Sequence, residues 1–190
     1  MKILTDCDGV WVNWVDTFHK HMQTLGHVKS DEVSYDMKVK YPAMSRIDMQ
    51  HAVLEFNNSS AIAKLPALLD AVEGVAALRK AGYTFDMITS LSEKPAAKEY
   101  RQQNLDAVFG PDSVETLISI ACGADKDEEL VKYEGTGLWW IEDKPENCDT
   151  GLKFGLRPIL IDHATNQWYN NENVIRVSNW KQLCGVILGE

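Results

Sequence analysis

Residues 2–10, Lys2-Ile3-Leu4-Thr5-Asp6-Cys7-Asp8-Gly9-Val10, decide the fold of this chain. A short apolar run that stops at an acid and a glycine reads as a buried strand followed by a turn. Side chains alternate along an extended chain, so Asp6 and Asp8 project to one side, ~6.5 Å apart, and can share one metal and one substrate. Cys7 then faces the other way, where a small thiol packs as an apolar group. Gly9 lets the backbone turn sharply away. Open α/β sheets build their ligand sites at such carboxyl ends of strands.

Working outward, Trp14, Phe18, Met22 and Leu25 recur at helical spacing and end at Gly26. Residues 27–43 are mixed and polar, with Pro42, and read as a loop or short turns. Met44, Ile47, His51 and Leu54 mark a second helix, which breaks at Asn57-Asn58-Ser59-Ser60. After Pro66 helices and strands alternate. A helix carrying Leu69, Val72 and Ala76 ends near Gly82, and a strand follows over 83–89. Ser92 is expected to cap the next helix, with Pro95 in its first turn. A strand over 114–120, a helix over 126–133 and a strand over 138–141 come next, then strands at 158–161 and 174–177 and a closing helix over 180–188. This alternation predicts an α/β protein with a parallel sheet covered on both faces.

A βαβ unit takes roughly 30 residues, yet 83 positions separate Asp6 from Thr89. About 50 residues are therefore inserted. The expected organisation is an α/β core of residues 1–13 and 66–190 with a small α-helical cap, residues 14–65, inserted after the first strand. Such a cap would exclude water and choose substrates.

The composition bounds the function. The chain has 190 residues, 45% of them apolar and 25% charged, which suits one globular domain with an insert. Its 19 basic and 28 acidic residues give a net charge of −9, which argues against binding a nucleic acid duplex. A small phosphorylated substrate would need a local cation. No apolar run approaches membrane-spanning length, and Asp6 interrupts the segment a secretory signal would need. The expectation is a cytoplasmic protein without membrane contact, monomeric or a homodimer. Cys7, Cys122, Cys148 and Cys184 are too scattered for a zinc cluster or disulfide framework. Position 13 is asparagine, so Cys7 lacks the arginine six residues on that cysteine phosphatases keep.

Thr89-Ser90 and Glu142-Asp143 end two further strands, and Lys126 opens the helix between them. Acids converging at one point repel one another unless a cation binds. Oxygen ligands without a nearby histidine favour a hard ion, and Mg²⁺ suits a site that also holds phosphate. Lys126 would add a second cation, although Lys132 competes for that role. The Thr89 hydroxyl and the Ser90 backbone amide would donate to phosphoryl oxygens. That set suffices for phosphoryl transfer through an aspartyl phosphate.

In this order, Asp6-Cys7-Asp8-Gly9-Val10, Thr89-Ser90, Lys126 and Glu142-Asp143 resemble the four motifs of the haloacid dehalogenase-like (HAD) phosphohydrolase superfamily. The resemblance implies a HAD-like, Rossmann-like core, with Asp6 as nucleophile and Asp8 as the acid that protonates the leaving alcohol and then activates water. It implies Mg²⁺ held by the Asp6 carboxylate, the Asp8 backbone carbonyl and the Asp143 carboxylate, with Glu142 orienting its neighbour. Within the superfamily, the stretch from Asp6 to Trp14, together with Ala124-Asp125-Lys126-Asp127, Ile141-Glu142-Asp143-Lys144 and Ser178-Asn179-Trp180, is most similar to the 5'(3')-deoxyribonucleotidases. That likeness implies a (deoxy)nucleoside monophosphate as substrate and Trp14 stacked on its base. Trp14 equally fits the apolar stripe of the cap, and Ala61-Ile62 stands where those enzymes carry an aromatic pair. The alternatives are a phosphatase of another small metabolite, such as a sugar phosphate, and a phosphoacceptor regulatory domain.

Overall fold

The computed structural model describes residues 1–189. Strands β1 (Lys2–Thr5), β2 (Thr84–Ser90), β3 (Thr116–Ile120), β4 (Trp139–Glu142), β5 (Arg157–Ile161) and β6 (Ile175–Val177) form one sheet. Their order is β3-β2-β1-β4-β5-β6, and every pairing is parallel. Parallel strands covered on both faces read as nearly continuous apolar runs, as Trp139-Trp140-Ile141 and Ile159-Leu160-Ile161 do. Ile3 lies opposite Phe85 on one side and Trp139 on the other, so β1 is central. The chain winds outward from β1 through β2 to β3, then returns to the other side of β1 for β4. A crevice therefore opens beyond the carboxyl ends of β1 and β4, where strand order reverses.

Helices α4 (Ala71–Lys80), α5 (Pro95–Phe109) and α8 (Trp180–Leu188) cover one face, burying Val75, Leu105 and Leu183 in one cluster with Ile3 and Phe85. Helices α6 (Asp127–Leu130) and α7 (Pro145–Lys153) cover the other; Leu130 of α6 is buried with Leu4, Ile88 and Trp140, and Cys148 of α7 with Leu160. Two glycines mark close approaches. A Cβ on Gly74 would lie 2.7 Å from the Trp180 ring, and one on Gly151 would lie 2.6 Å from that of Trp140.

Residues 14–65 form α1 (Trp14–Thr24), α2 (Met37–Lys40), α3 (Arg46–Asn57) and a 3₁₀ turn at Ser60–Lys64. The chain leaves and re-enters the core through two segments that lie side by side. The amide of Asn13 donates to the Pro66 carbonyl and that of Leu68 to the Trp11 carbonyl, both at 2.9 Å. An aromatic cluster holds the insert together. Trp14 stacks on Phe18 with ring centroids 4.8 Å apart, and Phe56 of α3 meets both rings edge-on. No helix among the described residues is long and apolar enough to cross a membrane.

Several local expectations are corrected. Helix α7 had no apolar periodicity to announce it, because its inner face is built from Pro145, Asn147, Cys148 and Gly151. The 27–43 loop contains α2. In α3 the inward residues are Met49 and Phe56, whereas Ile47 is 65% exposed: two stripes fit the same segment, and contact with the Trp14–Phe18 rings selects one. Leu69 lies exposed outside α4, whose inner face is Ala71, Gly74, Val75 and Leu78 because the large Trp180 ring needs small partners. Leu25 is exposed beyond the end of α1. Ser92 is not the cap of α5. Lys94 occupies that position, and the Ser92 hydroxyl accepts from its amide at 3.2 Å, forming the turn that precedes the helix. The 126–133 segment divides into α6 and a 3₁₀ turn, Val131–Tyr133.

Candidate active site

The sheet order places Asp6 after β1, Thr89-Ser90 at the end of β2 and Glu142-Asp143 at the end of β4, the three strands that flank the crevice. The amide of Asp6 donates to the Ile141 carbonyl at 2.9 Å, tying the ends of β1 and β4 together. One carboxylate oxygen from each of Asp6, Glu142 and Asp143 lies within 4.8 Å of the others. All three residues are buried.

Lys126 enters this cluster from the start of α6. Its Nζ lies 2.7 Å from both Asp6 Oδ1 and Glu142 Oε1, with the Trp140 ring 5.1 Å away. Burial pulls the ammonium down, but the facing Asp6 and Glu142 outweigh it and hold Lys126 above the ordinary lysine range. Lys132, the competing candidate, instead pairs with Glu129 at the surface. Glu142 has no oxygen to spare. Its Oε1 accepts from Lys126 and Asn147, and its Oε2 accepts from the amides of Asp143 and Lys144. It therefore orients its neighbours and the lysine.

Asp143 is different, since its Oδ1 is buried and has no hydrogen-bond partner. The Asn166 side chain donates to the Asp143 carbonyl at 2.9 Å and holds this backbone in place. Burial first, then Lys126 acting against it and the charges of Glu142 and Asp8 adding to it, leave the Asp6 carboxyl pushed up to about 7. Burial and the neighbouring acids put Asp143 well above the usual carboxylate range. An orphaned buried oxygen among converging carboxylates, with oxygen the only donor type, fits a hard divalent cation such as Mg²⁺. Asp6 and Asp143 are the side chains that would hold it.

The turn after β1 is shaped to this cluster. Gly9 has φ +77°, and a Cβ there would fall 2.2 Å from Asp143 Oδ2. His163 Nε2 donates to the Gly9 carbonyl and Trp180 Nε1 to that of Val10, each at 2.7 Å, so the turn is fastened from two sides. Gly9→Ala is expected to displace Asp143, lower stability by about 1–3 kcal/mol through strain and overpacking, and weaken Mg²⁺ binding. Urea unfolding and a metal titration measure the two effects separately.

Asp8 points toward a group that the sequence did not single out. Arg101, fully buried on α5, places Nη2 at 2.6 and 2.9 Å from the two Asp8 oxygens. The arginine lies inside a helix more than ninety positions away, so no local pattern announces the pairing. Thr89 is fully buried, and its hydroxyl has no partner. Ser90 gives its hydroxyl to the Ala124 carbonyl at 2.9 Å, which leaves only its backbone as a donor to a ligand. Asp6, Asp8, Thr89, Ser90, Lys126 and Asn147 all line one cavity of about 170 Å³. Trp14 also borders it, but the indole is committed: one face stacks on Phe18, and Nε1 donates to Asn57 Oδ1 at 2.8 Å. Tyr35 is a second residue the sequence did not mark. Half of it faces solvent, yet its hydroxyl is desolvated near Asp143, Glu142 and Asp6 and held well above the usual phenol range. Cys7 is buried on the opposite side, where burial pushes its thiol far up and leaves it unfit as a nucleophile.

The acids set a pH dependence. A carboxyl raised in the folded state contributes stability that is fully present below its unfolded value of 3.8 and is lost as pH rises through about 7. Without metal, thermal stability is therefore expected to fall from about pH 4 to about pH 7. Because Mg²⁺ needs the ionised acids, its stabilising effect grows over the same interval. Melting curves with and without Mg²⁺ at the two pH values check both signs.

No protein-family model matches the sequence, and no curated protein does. Solved structures do match. A haloacid dehalogenase-like hydrolase from Streptococcus pneumoniae superposes with a TM-score of 0.66 at 12% identity, over 98% of this chain and 97% of that one. A HAD-superfamily hydrolase from Ehrlichia chaffeensis gives 0.58 at 12% identity, over 99% and 96%. The D,D-heptose 1,7-bisphosphate phosphatase of B. bronchiseptica, solved with magnesium and phosphate, gives 0.57 at 15% identity, over 99% and 98%. These likenesses span both the sheet and the helical insert, and by them the chain has the α/β fold of the haloacid dehalogenase-like hydrolases.

Proposed function

We propose that this chain is a Mg²⁺-dependent phosphomonoesterase that acts on a small phosphorylated metabolite through a phosphoryl group carried on Asp6. The observation that carries this reading is the pairing of buried Asp6 with Lys126 at 2.7 Å in a small cavity that also holds the unpartnered Thr89 hydroxyl. A nucleophile, a fixed cation and a free donor thus converge where a phosphoryl group would sit. Bound Mg²⁺ would supply the charge neutralisation that lets a carboxylate approach a phosphate dianion.

Asp6 attacks phosphorus, and the P–O bond to the alcohol breaks. Asp8 gives that departing oxygen a proton, then takes one from the water that attacks phosphorus in turn, releasing inorganic phosphate and restoring Asp6. Lys126 and Thr89 bind the phosphoryl oxygens throughout, with the Ser90 amide as a third donor. Arg101 keeps the Asp8 carboxylate in place.

The finer reading, a (deoxy)nucleoside monophosphate as substrate, rests on the likeness of the segments Asp6 to Trp14, Ala124 to Asp127, Ile141 to Lys144 and Ser178 to Trp180 to the 5'(3')-deoxyribonucleotidases. A phosphate-release screen over nucleoside monophosphates and sugar phosphates, with and without Mg²⁺, tests both levels. Preference for nucleoside monophosphates over sugar phosphates supports the nucleotidase reading. Preference for sugar phosphates removes the nucleotidase reading and leaves the phosphatase. Release over many cycles, as against one phosphorylation per chain, separates this enzyme from a phosphoacceptor regulatory domain.

A further inference from the structure

The chain carries a net charge of −9, yet two lysines and a histidine line a second cavity, of about 450 Å³, beside the catalytic acids. Asp8 and Asp143 line it together with Lys29, Lys40 and His19 of the helical insert. Its volume falls within the range of small-molecule sites, roughly 300–1,000 Å³. Neither lysine forms an ion pair or a side-chain hydrogen bond with any described residue. His19 Nδ1 is engaged with the Tyr41 hydroxyl at 2.8 Å, which leaves Nε2 unused by the protein. Asp16, the one acid of the insert in this cavity, accepts from Asn13 on its Oδ2 at 2.8 Å and forms no ion pair with a described residue. Burial and the charges of Lys29 and Lys40 lower the basicity of His19, with Asp16 acting against them, so the four groups lie near one another. With Asp8 paired to Arg101 and Asp143 turned to the metal the site fits, Lys29 and Lys40 face only the charge of Asp16, and an anion from outside would balance the remainder.

The neighbouring cavity, of about 610 Å³, touches neither Asp8 nor Asp143; there Arg46 pairs with Asp36 at 3.0 Å and Lys38 donates to the Pro42 carbonyl at 2.9 Å. A phosphoryl group beside Asp6 that leaves its alcohol oxygen at Asp8 directs the rest of the molecule toward Lys29 and Lys40, since Asp8 borders both spaces.

We propose that Lys29 and Lys40, with His19, read a second anionic group on the leaving-group side of the substrate, a carboxylate or a second phosphate. This rests on the phosphomonoesterase reading and narrows its substrate class to phosphorylated acids or bisphosphates. Lysine acts as a point charge without bidentate geometry, so the subsite selects charge more than shape.

The test measures phosphate release, with Mg²⁺, from two matched pairs: 2-phosphoglycolate against ethyl phosphate, and fructose 1,6-bisphosphate against fructose 6-phosphate. The first pair reads a carboxylate and the second a phosphate. The anionic member of at least one pair is expected to show a kcat/KM about tenfold or more above its neutral partner, carried by KM and reduced by added salt. That ratio is expected to fall at least about tenfold in Lys29→Ala/Lys40→Ala, to persist in Lys29→Arg/Lys40→Arg, and to be unmoved in Arg46→Ala. Ratios near one in both pairs, or a ratio that survives the double alanine variant, overturn the proposal. If no ester releases phosphate, the catalytic reading fails, and calorimetric titration of the Mg²⁺-loaded chain with 2-phosphoglycolate, ethyl phosphate and the two fructose phosphates decides the subsite alone. Tighter binding of an anionic member that is lost in the double alanine variant upholds it, and equal binding within both pairs overturns it.

Discussion

Asp6→Asn is expected to abolish phosphate release, by about 10⁴-fold or more, while the protein stays folded. The amide matches the carboxylate in size and keeps an oxygen to accept from Lys126, so the cluster can retain its shape. What disappears is the negative oxygen that bonds to phosphorus. The change also carries a stability effect of opposite sign. With its carboxyl pushed up to about 7, Asp6 opposes folding when ionised. The metal-free variant should therefore be more stable than the parent at about pH 8, by an amount on the order of a few kcal/mol. Turnover assays and thermal melts on the same preparation separate the outcomes. An inactive variant that has lost its fold says nothing about the nucleophile, whereas a folded variant that still releases phosphate refutes the mechanism.

The second large effect belongs to Lys126→Met. Methionine fills the space of the lysine stem but leaves Asp6 and Glu142 buried without their shared cation. Removing one partner of a buried ion pair costs about 3–5 kcal/mol, and losing a cation aimed at the phosphoryl group costs about 10²–10³ in kcat. The two losses have different remedies. Adding Glu142→Gln to Lys126→Met removes the surplus buried charge, so stability should recover in part while activity stays low. Full recovery of activity in the double variant would show that Lys126 only balances charge. Denaturant unfolding and kcat measured across the single and double variants give the coupling directly.

Much of the architecture was legible along the chain because it rests on short-range rules. Strand β1 follows from an apolar run stopped by Asp6, and helix α8 from the apolar stripe between Asn179 and Gly189. The long interval between the first two strands pointed to added helices, and α1, α2 and α3 occupy it. Helix α7 was silent because Pro, Asn, Cys and Gly on its inner face produce no apolar rhythm. The inward stripe of α3 was ambiguous until Phe56 met Trp14 and Phe18.

For the site, one kind of knowledge came from order and spacing, and another only from packing. The sequence alone determined which residues stand at the ends of β1, β2 and β4, because strand termini and turn glycines are local properties. It thereby nominated Asp6, Asp8, Thr89, Ser90, Lys126 and Asp143 together. Tertiary structure decided what each one touches: Glu142 saturated by four donors, Asp143 left with an orphan oxygen, Asp8 held by Arg101, and Lys29 and Lys40 brought to the cavity that Asp8 and Asp143 line. Those relations join positions that the backbone separates by tens of residues. Burial and Coulomb interaction depend on distance through space, and that distance is set only when the sheet closes and the insert settles over it.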